Sequence, residues 1–441
     1  MDPSQGHDCA ADVTIGADGR IEAVSALPGV RKGPALSAGR CIRADGLWVL
    51  PGLVDLHVHL RQPGMTRAEC VASGTAAAAA GGFRRIVCMP NTRPVLDDPG
   101  VLRSLVRRIR DEAVVDVHPA AALSVDLAGR ELSPLAALRE AGAEALSDDG
   151  MGTGRSEVLA EALRFGARHG LVVMVHAEDR RLSGCGVMNA GPVARRLALP
   201  GIPAAAERVR VERDLRVLAR AGGRLHFQHL STLGALNAVR RAKAAGLGVT
   251  CELTPHHLTL SDRDLERSAD RRAEPDPDFK MNPPLRGPGV CDALRAALAD
   301  GTADALATDH APHLPGAKRL GFARAPFGVI GLETALALTI EMIHQGLVDR
   351  MRAVALWTSG PARILGREAS LAPGGPADLI LVDPEASWIV EPGKLRSRSA
   401  NTPFKGRALR GKVLWNLIAG REVFRAEGFE PEGMEIRPRK G

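Results

Sequence analysis

The sequence predicts an α/β protein: a (β/α)8 TIM-type barrel with a small β-sandwich-like domain built from both chain ends. Three observations predict it. Between residues 51 and 366, short apolar runs alternate with helix-period stretches, as in repeated βα units. Over 1–50 and 367–441 the pattern is strand and turn, which assigns those two stretches to one small domain. Metal-ligand residue types recur where the apolar runs end, which is where barrel enzymes place their chemistry.

Taken in order, Ala11–Ile15 and residues 21–24 flank Asp18-Gly19, a dipeptide that suits the positive φ angles of a tight hairpin. Barrel strands are predicted over 48–59, 85–91, 114–123, 144–149, 171–177, 225–230, 248–253 and 303–309. After the first, Thr66 and Glu69 read as a capping box, and Gly81-Gly82 stops the helix. In Ser156–His169, the residues Val158, Leu159, Ala162, Leu163 and Phe165 recur at helical spacing, and Gly170 ends the run. The Arg107-Arg-Ile-Arg110 run reads as a solvated helix face. Past Gly366, strands are predicted over 377–383, 387–390 and 412–418.

Composition narrows the class. With 45% hydrophobic and 25% charged residues, the 441-residue chain can bury a large core and is not a disordered polyelectrolyte. No apolar run approaches the ~18 residues of a membrane span. Met1-Asp-Pro-Ser-Gln5 lacks the basic-then-apolar order of a signal peptide. Seven cysteines without Cys-x-x-Cys argue against a disulfide framework or thiolate zinc site; Cys88 and Cys251 read as small buried hydrophobes. A cytoplasmic protein is expected. The net charge of +7 raises nucleic acid as a partner, but aromatics are 3% and tyrosine is missing, so stacking platforms are lacking. An arginine-rich composition bias accounts for the charge, and an anionic substrate is compatible with it.

The chemistry starts at Pro51-Gly-Leu-Val-Asp-Leu-His-Val-His-Leu60. Residues i and i+2 of a strand share a face, so His57 and His59 project together, as a divalent metal requires. Asp149, His176, His229 and Asp309 each end a later strand. One such residue is chance; six of ligand type at strand ends are hard to assign to packing. Hydrolysis of a carboxylated substrate further needs a base for the water proton and a cation for the carboxylate. Asp309, Arg61 and Asn91 suit those tasks. His118, His169, His226 and His344 read as structural or exposed, and His256 and His257 as packing or supporting residues. Asp148 reads as a local hydrogen-bonding residue, and His310 as pointing away from its neighbour Asp309.

These residues sit in a set of motifs that resembles the dihydroorotases of the amidohydrolase superfamily, of the long bacterial class I type. The motifs are Asp55-Leu-His-Val-His-Leu-Arg-Gln-Pro-Gly64, Met89-Pro-Asn-Thr92, Ser147-Asp-Asp-Gly150, His176-Ala-Glu-Asp179 and Gln228-His-Leu-Ser-Thr232. They continue through Thr254-Pro-His-His-Leu258, Met281-Asn-Pro-Pro-Leu-Arg286, residues 307–313 and 325–333, and Ser399-Ala-Asn-Thr-Pro-Phe404. The resemblance implies one zinc ion held by His57, His59, Asp149 and Asp309, and a second, where present, held by Asp149, His176 and His229. It implies that Arg61, Asn91 and His313 grip the substrate carboxylate, that Asn282 shapes the pocket, and that Asp309 doubles as acid and base. The implied reaction is reversible hydrolysis of the ring amide of L-dihydroorotate to N-carbamoyl-L-aspartate, in pyrimidine (UMP) biosynthesis.

Related dihydropyrimidinases and allantoinases bridge two metals with a carbamylated lysine on strand 4. Here no lysine lies between Lys32 and Lys243, so Asp149 must serve instead. The resemblance implies a homodimer, with a complex with aspartate transcarbamoylase as an option. Two alternatives stand beside it: a non-catalytic subunit that scaffolds the transcarbamoylase, which retention of all six ligands disfavours, and another cyclic ureide hydrolase. Two departures from the family pattern are expected to matter. A first strand ahead of Asp2-Pro3 is missing, which leaves the small domain one strand short or places the start further upstream. Leu314–Leu320 lacks acidic residues, and Pro315-Gly316 suits a mobile loop over the site.

Overall fold

Gly52 divides two sheets. The sequence reads as one strand from 48 to 59, but in the computed structural model it is two, Trp48–Pro51 (β3) and Leu53–Val58 (β4). The structure describes residues 1–26, 42–152, 154–269 and 274–430, so the parts of the small-domain assignment at 27–41 and 431–441 lie outside the described residues. Gly52 lies against Arg84, where an added Cβ would come within 2.7 Å of the arginine side chain, so the chain passes between sheets at a residue without one.

β4 begins an eight-stranded parallel sheet continued by Phe83–Cys88 (β5), Asp116–Ala122 (β6), Ala145–Ser147 (β7) and Val172–Val175 (β8). Met188–Asn189 (β9) and Gly201–Ile202 (β10) form a separate short pair. Leu225–Phe227 (β11), Val249–Leu253 (β12) and Ala305–Leu306 (β13) complete the large sheet. β13 is too short to ladder onto β4. Closure falls to the residues after it: His59 N–H donates to the His310 carbonyl at 2.8 Å, and Thr308 N–H donates to the buried Asp55 carboxylate at 3.1 Å. The sheet and its helices form the TIM-type barrel.

Strand residues divide into two layers by their period of two. Ile86, Ala121, Leu146, Val173, Phe227 and Leu253 share a cluster with helix residues such as Leu102, Leu159, Leu215 and Leu236. Val54, Val87, Ala120, Ala145, Val172 and Ala305 form a smaller inner cluster with Ala362 and Ile364.

The hairpin predicted around Asp18-Gly19 is present: Ala11–Ile15 (β1) pairs antiparallel with Ile21–Ala26 (β2). Leu379–Ile389 (β14), Ala408–Ile418 (β15) and Arg421–Arg425 (β16) form an antiparallel sheet with β3, in the order β16-β15-β14-β3. β3 from the amino-terminal part thus pairs with β14 from the carboxy-terminal part, and Ile21 of the hairpin packs with Leu379 and Leu417. β16 was not expected. Its turn is Ala419-Gly420, both with positive φ, and an alanine there is a weak hairpin signal.

The helix after β4 also differs from expectation. It is Val71–Ala80, with a capping box from Cys70 and Ser73 rather than Thr66 and Glu69. Glu69 is drawn instead to His310 and Ser397, a tertiary claim stronger than a local cap. Ser156–His169 forms as predicted, closed by Gly170 at φ 73°. The expected mobile loop contains a short helix, Pro315–Lys318, whose Lys318 is buried and donates to the carbonyls of Pro277, Lys280 and Pro326. No helix of the described residues is long and apolar enough to cross a membrane.

Candidate metal centre

The six predicted ligands come together at the carboxyl end of the barrel. His57 lies within β4 and His59 just past it; Asp149, His176, His229 and Asp309 follow β7, β8, β11 and β13 within three residues. All six are buried. Ligand atoms of His57, Asp149 and His229 lie within 4.8 Å of one another, as do those of His57, His59 and Asp309.

His57 Nε2 lies 3.3 Å from Asp149 Oδ1 and 3.5 Å from Asp309 Oδ1. His59 Nε2 lies 3.5 Å from Asp149 Oδ2 and 3.3 Å from Asp309 Oδ1. Ligands sharing one tetrahedral cation at about 2.1 Å stand roughly 3.4 Å apart, so this spacing fits a metal. His176 Nδ1 and His229 Nε2, 3.0 Å apart, each lie 3.9 Å from Asp149 Oδ1, forming a second lobe on the same carboxylate.

Two further observations favour a cation. His57 Nε2 and His229 Nδ1 are buried without a hydrogen-bond partner among the described residues, a loss of about 1–3 kcal/mol each unless something else satisfies them. Burial works against charge throughout the cluster, yet Asp149 and Asp309 outweigh it and hold His57 well above the usual imidazole range. Against the same burial, His57 holds both carboxylates well below theirs. Carboxylates set this close around one imidazole demand positive charge. Imidazole and carboxylate donors of this number suit zinc and its neighbours.

Backbone strain gathers at the same place. Arg61, His229 and Asp309 all have positive φ, at 56°, 33° and 46°, a conformation costing about 1–3 kcal/mol for a non-glycine residue. Such strain persists only where the surroundings enforce it.

The predicted substrate residues line this centre, with partners the sequence does not announce. Arg61 is buried; its Nε donates to the Pro312 carbonyl at 3.1 Å, and burial lowers its pKa to about 10. His313 Nε2 lies 2.7 Å from the Phe327 carbonyl, to which it donates, and burial with nearby Arg61 pushes its pKa down to about 3. In this conformation the one proton of its neutral ring is committed. Asn91 ties two ligands together: its Oδ1 accepts from His59 Nδ1 at 2.9 Å and its Nδ2 donates to Asp149 Oδ2 at 3.0 Å. Asn282 Nδ2 donates to Glu178 Oε2 at 2.9 Å, and that oxygen lies 3.1 Å from His176 Nε2.

Sequence reasoning missed Glu178 as an orienting group for His176, and it missed Glu252 and Gln228, which lie 3.3 and 3.2 Å from His57 Nδ1. One signal was available: Glu252 is a charge within an otherwise buried strand. Of the residues read as bystanders, His310 points away to Glu69 at 3.3 Å, and Asp148 accepts from Ser124 N–H, with burial raising its pKa to about 6. His226 is fully buried beneath the site. His257 is spent on Thr254 and the Pro283 carbonyl.

A Dihydro-orotase-like family model matches residues 46–234, and an Amidohydrolase family model matches 211–409. The chain is 42% identical over 428 residues to a dihydroorotase of Geobacter sp. (strain M21), covering 97% of each. It is 43% identical over 424 residues to a dihydroorotase of Anaeromyxobacter dehalogenans (strain 2CP-1), covering 96% of this chain and 95% of that one. Among solved structures, L-hydantoinase (dihydropyrimidinase) from Arthrobacter aurescens superposes with a TM-score of 0.81 at 25% identity, covering 93% of this chain and 92% of that one. With this identity sustained over nearly its whole length, the chain belongs to the dihydroorotase family.

Proposed function

We propose that this chain reversibly hydrolyses the ring amide of L-dihydroorotate to N-carbamoyl-L-aspartate, the ring-closing step of pyrimidine synthesis run in either direction. The observation that carries the reading is the convergence of His57, His59, Asp149, His229 and Asp309 about the unpartnered His57 Nε2, with His176 beside Asp149 and His229, in a member of this family. His57, His59, Asp149 and Asp309 would hold one zinc ion, and Asp149, His176 and His229 a second. When bound, the metal supplies a Lewis acid for the amide carbonyl and lowers the pKa of water.

The chain's own residues do the rest. Asp309, held ionised beside His57 and His59, accepts the proton of the attacking water and delivers it to the departing ring nitrogen. Arg61 presents its guanidinium to the substrate carboxylate, a pairing that a neutral hydantoin would leave unmade. Asn91 orients His59 and Asp149, and reaches the substrate by turning an amide hydrogen from the Asp149 carbonyl, its longer contact at 3.5 Å. His313 joins the grip by turning its proton from the Phe327 carbonyl, and Asn282, fixed by Glu178, shapes the wall beside His176. The division into a barrel over 51–366 and a small β-domain is part of the proposal and is supported by the pairing of β3 with β14. So are a cytoplasmic location, in keeping with the step, and a homodimer, alone or with aspartate transcarbamoylase, which sedimentation with and without that enzyme reads out.

The test is turnover of L-dihydroorotate and of carbamoyl-aspartate by purified protein, with metal content measured on the same sample. Activity that vanishes with chelator and returns with zinc is expected. Bound metal without turnover of either compound overturns the substrate assignment.

A further inference from the structure

The interior of a barrel of this kind is ordinarily filled by branched apolar side chains. Below the metal centre this one carries buried polar groups beside its apolar inner cluster. Glu252, on β12, is wholly buried, where an unpaired carboxylate costs several kcal/mol. Both of its oxygens are engaged. Oε2 accepts from His226 Nε2 at 2.9 Å, and Oε1 stands 3.3 Å from His57 Nδ1. His226 Nδ1 in turn lies 2.8 Å from Thr250 Oγ1. The four residues form a polar column through the barrel, from Thr250 by way of His226 and Glu252 to His57. The Gln228 amide nitrogen stands beside it, 3.2 Å from His57 Nδ1, and donates to Met89 Sδ at 3.2 Å, so Nδ1 lies between one donor and one acceptor.

We propose that Glu252 is a positioning residue of the metal centre: it holds the Nδ1 proton of His57, so that Nε2 turns its lone pair toward the ion, while His226 and Thr250 hold Glu252. The inference rests on the metal-centre reading above. An imidazole has one lone pair when neutral, and the group at its far nitrogen decides which atom carries it. Only an acceptor at Nδ1 leaves Nε2 bare, and of the two groups at Nδ1 Glu252 is the acceptor, its other oxygen taking the His226 Nε2 proton. A carboxylate in this place also makes the ligand nitrogen more basic. The Glu252→Gln variant has nearly the same shape but offers an amide N–H as readily as a carbonyl, so the proton of His57 is no longer assigned to Nδ1.

The experiment titrates metal-free protein with Zn2+ against a chromophoric chelator and records the melting temperature of the same metal-free samples. Glu252→Gln is expected to weaken zinc binding by about 10- to 100-fold, the usual effect of losing such a partner, with little change in the metal-free melting temperature. His226→Leu, which strips Glu252 of its donor, is expected to weaken zinc similarly, and His226→Gln, whose amide still donates, to recover most of it. Wild-type zinc affinity in Glu252→Gln overturns the proposal. If that variant does not fold, equal affinities in His226→Leu and His226→Gln overturn it instead. A wild-type chain that binds no zinc overturns the metal-centre reading itself, and is told apart because it requires no variant.

Discussion

Asp309 Oδ1 lies 3.3 Å from His59 Nε2, so the last barrel strand reaches the first across the metal centre. The contact depends on the left-handed backbone of Asp309 and on the His310 carbonyl that receives the His59 N–H. One carboxylate therefore faces the imidazoles of both His57 and His59. Asp309→Asn keeps the shape and removes the proposed base. Turnover should fall by about 10²–10⁴-fold, the usual share of general acid–base catalysis, with the melting temperature nearly unchanged. Steady-state assays in both directions check it; retention of most of kcat removes Asp309 from the proton-transfer role.

Arg61 is expected to act through binding. A charge-assisted hydrogen bond contributes about 1.5–3 kcal/mol, or roughly 10- to 150-fold. Arg61→Lys keeps the charge but loses the planar fork, so KM for dihydroorotate should rise within that range. Both side chains must adopt the same positive φ, so backbone strain cancels in the comparison. An unchanged KM would move the carboxylate contact elsewhere.

Far from the site, Glu144 offers a pH test. Burial pushes its pKa up, but His118 and Arg367 outweigh that and bring it from 4.5 to about 2. A folded-state pKa below the unfolded one means the unfolded chain binds the proton more readily, so stability rises with pH across this window. The contribution is complete above about pH 4.5 and is lost as pH falls toward 2. Urea midpoints of metal-free wild type and Glu144→Gln should therefore differ at pH 6 and converge near pH 2–3. A constant difference would show that the carboxylate is not held by its charge.

Lys318 pins the segment over the barrel mouth. Its ammonium donates to three carbonyls, and burial lowers its pKa to about 8. Lys318→Met fills the volume but leaves those carbonyls without their donor, at about 1–3 kcal/mol per buried group left unpaired. Amide hydrogen exchange over 314–328 should accelerate while the barrel strands keep their protection. Unchanged exchange there would show that the segment is held by its apolar contacts instead.

Much of this protein was legible in its sequence, because two periods decide it. The two-residue period of a strand puts His57 and His59 on one face, and repeated strand–helix units place later strand ends on the same rim. The order of ligand types along the chain therefore foretold the six residues that gather at one end of the barrel. Local rules failed where distant partners outbid them. Glu69 leaves the cap suggested by Thr66 because His310 and Ser397 pull it inward, and the run from 48 to 59 breaks at Gly52 because β14 claims its first half. The pairing of Glu252 with His57 was beyond any sequence pattern, since 195 positions separate them. Closing the barrel makes them neighbours, and burial makes their protonation interdependent. Which residues face the centre followed from strand periodicity; which donors and acceptors meet each ring nitrogen was decided by tertiary contact.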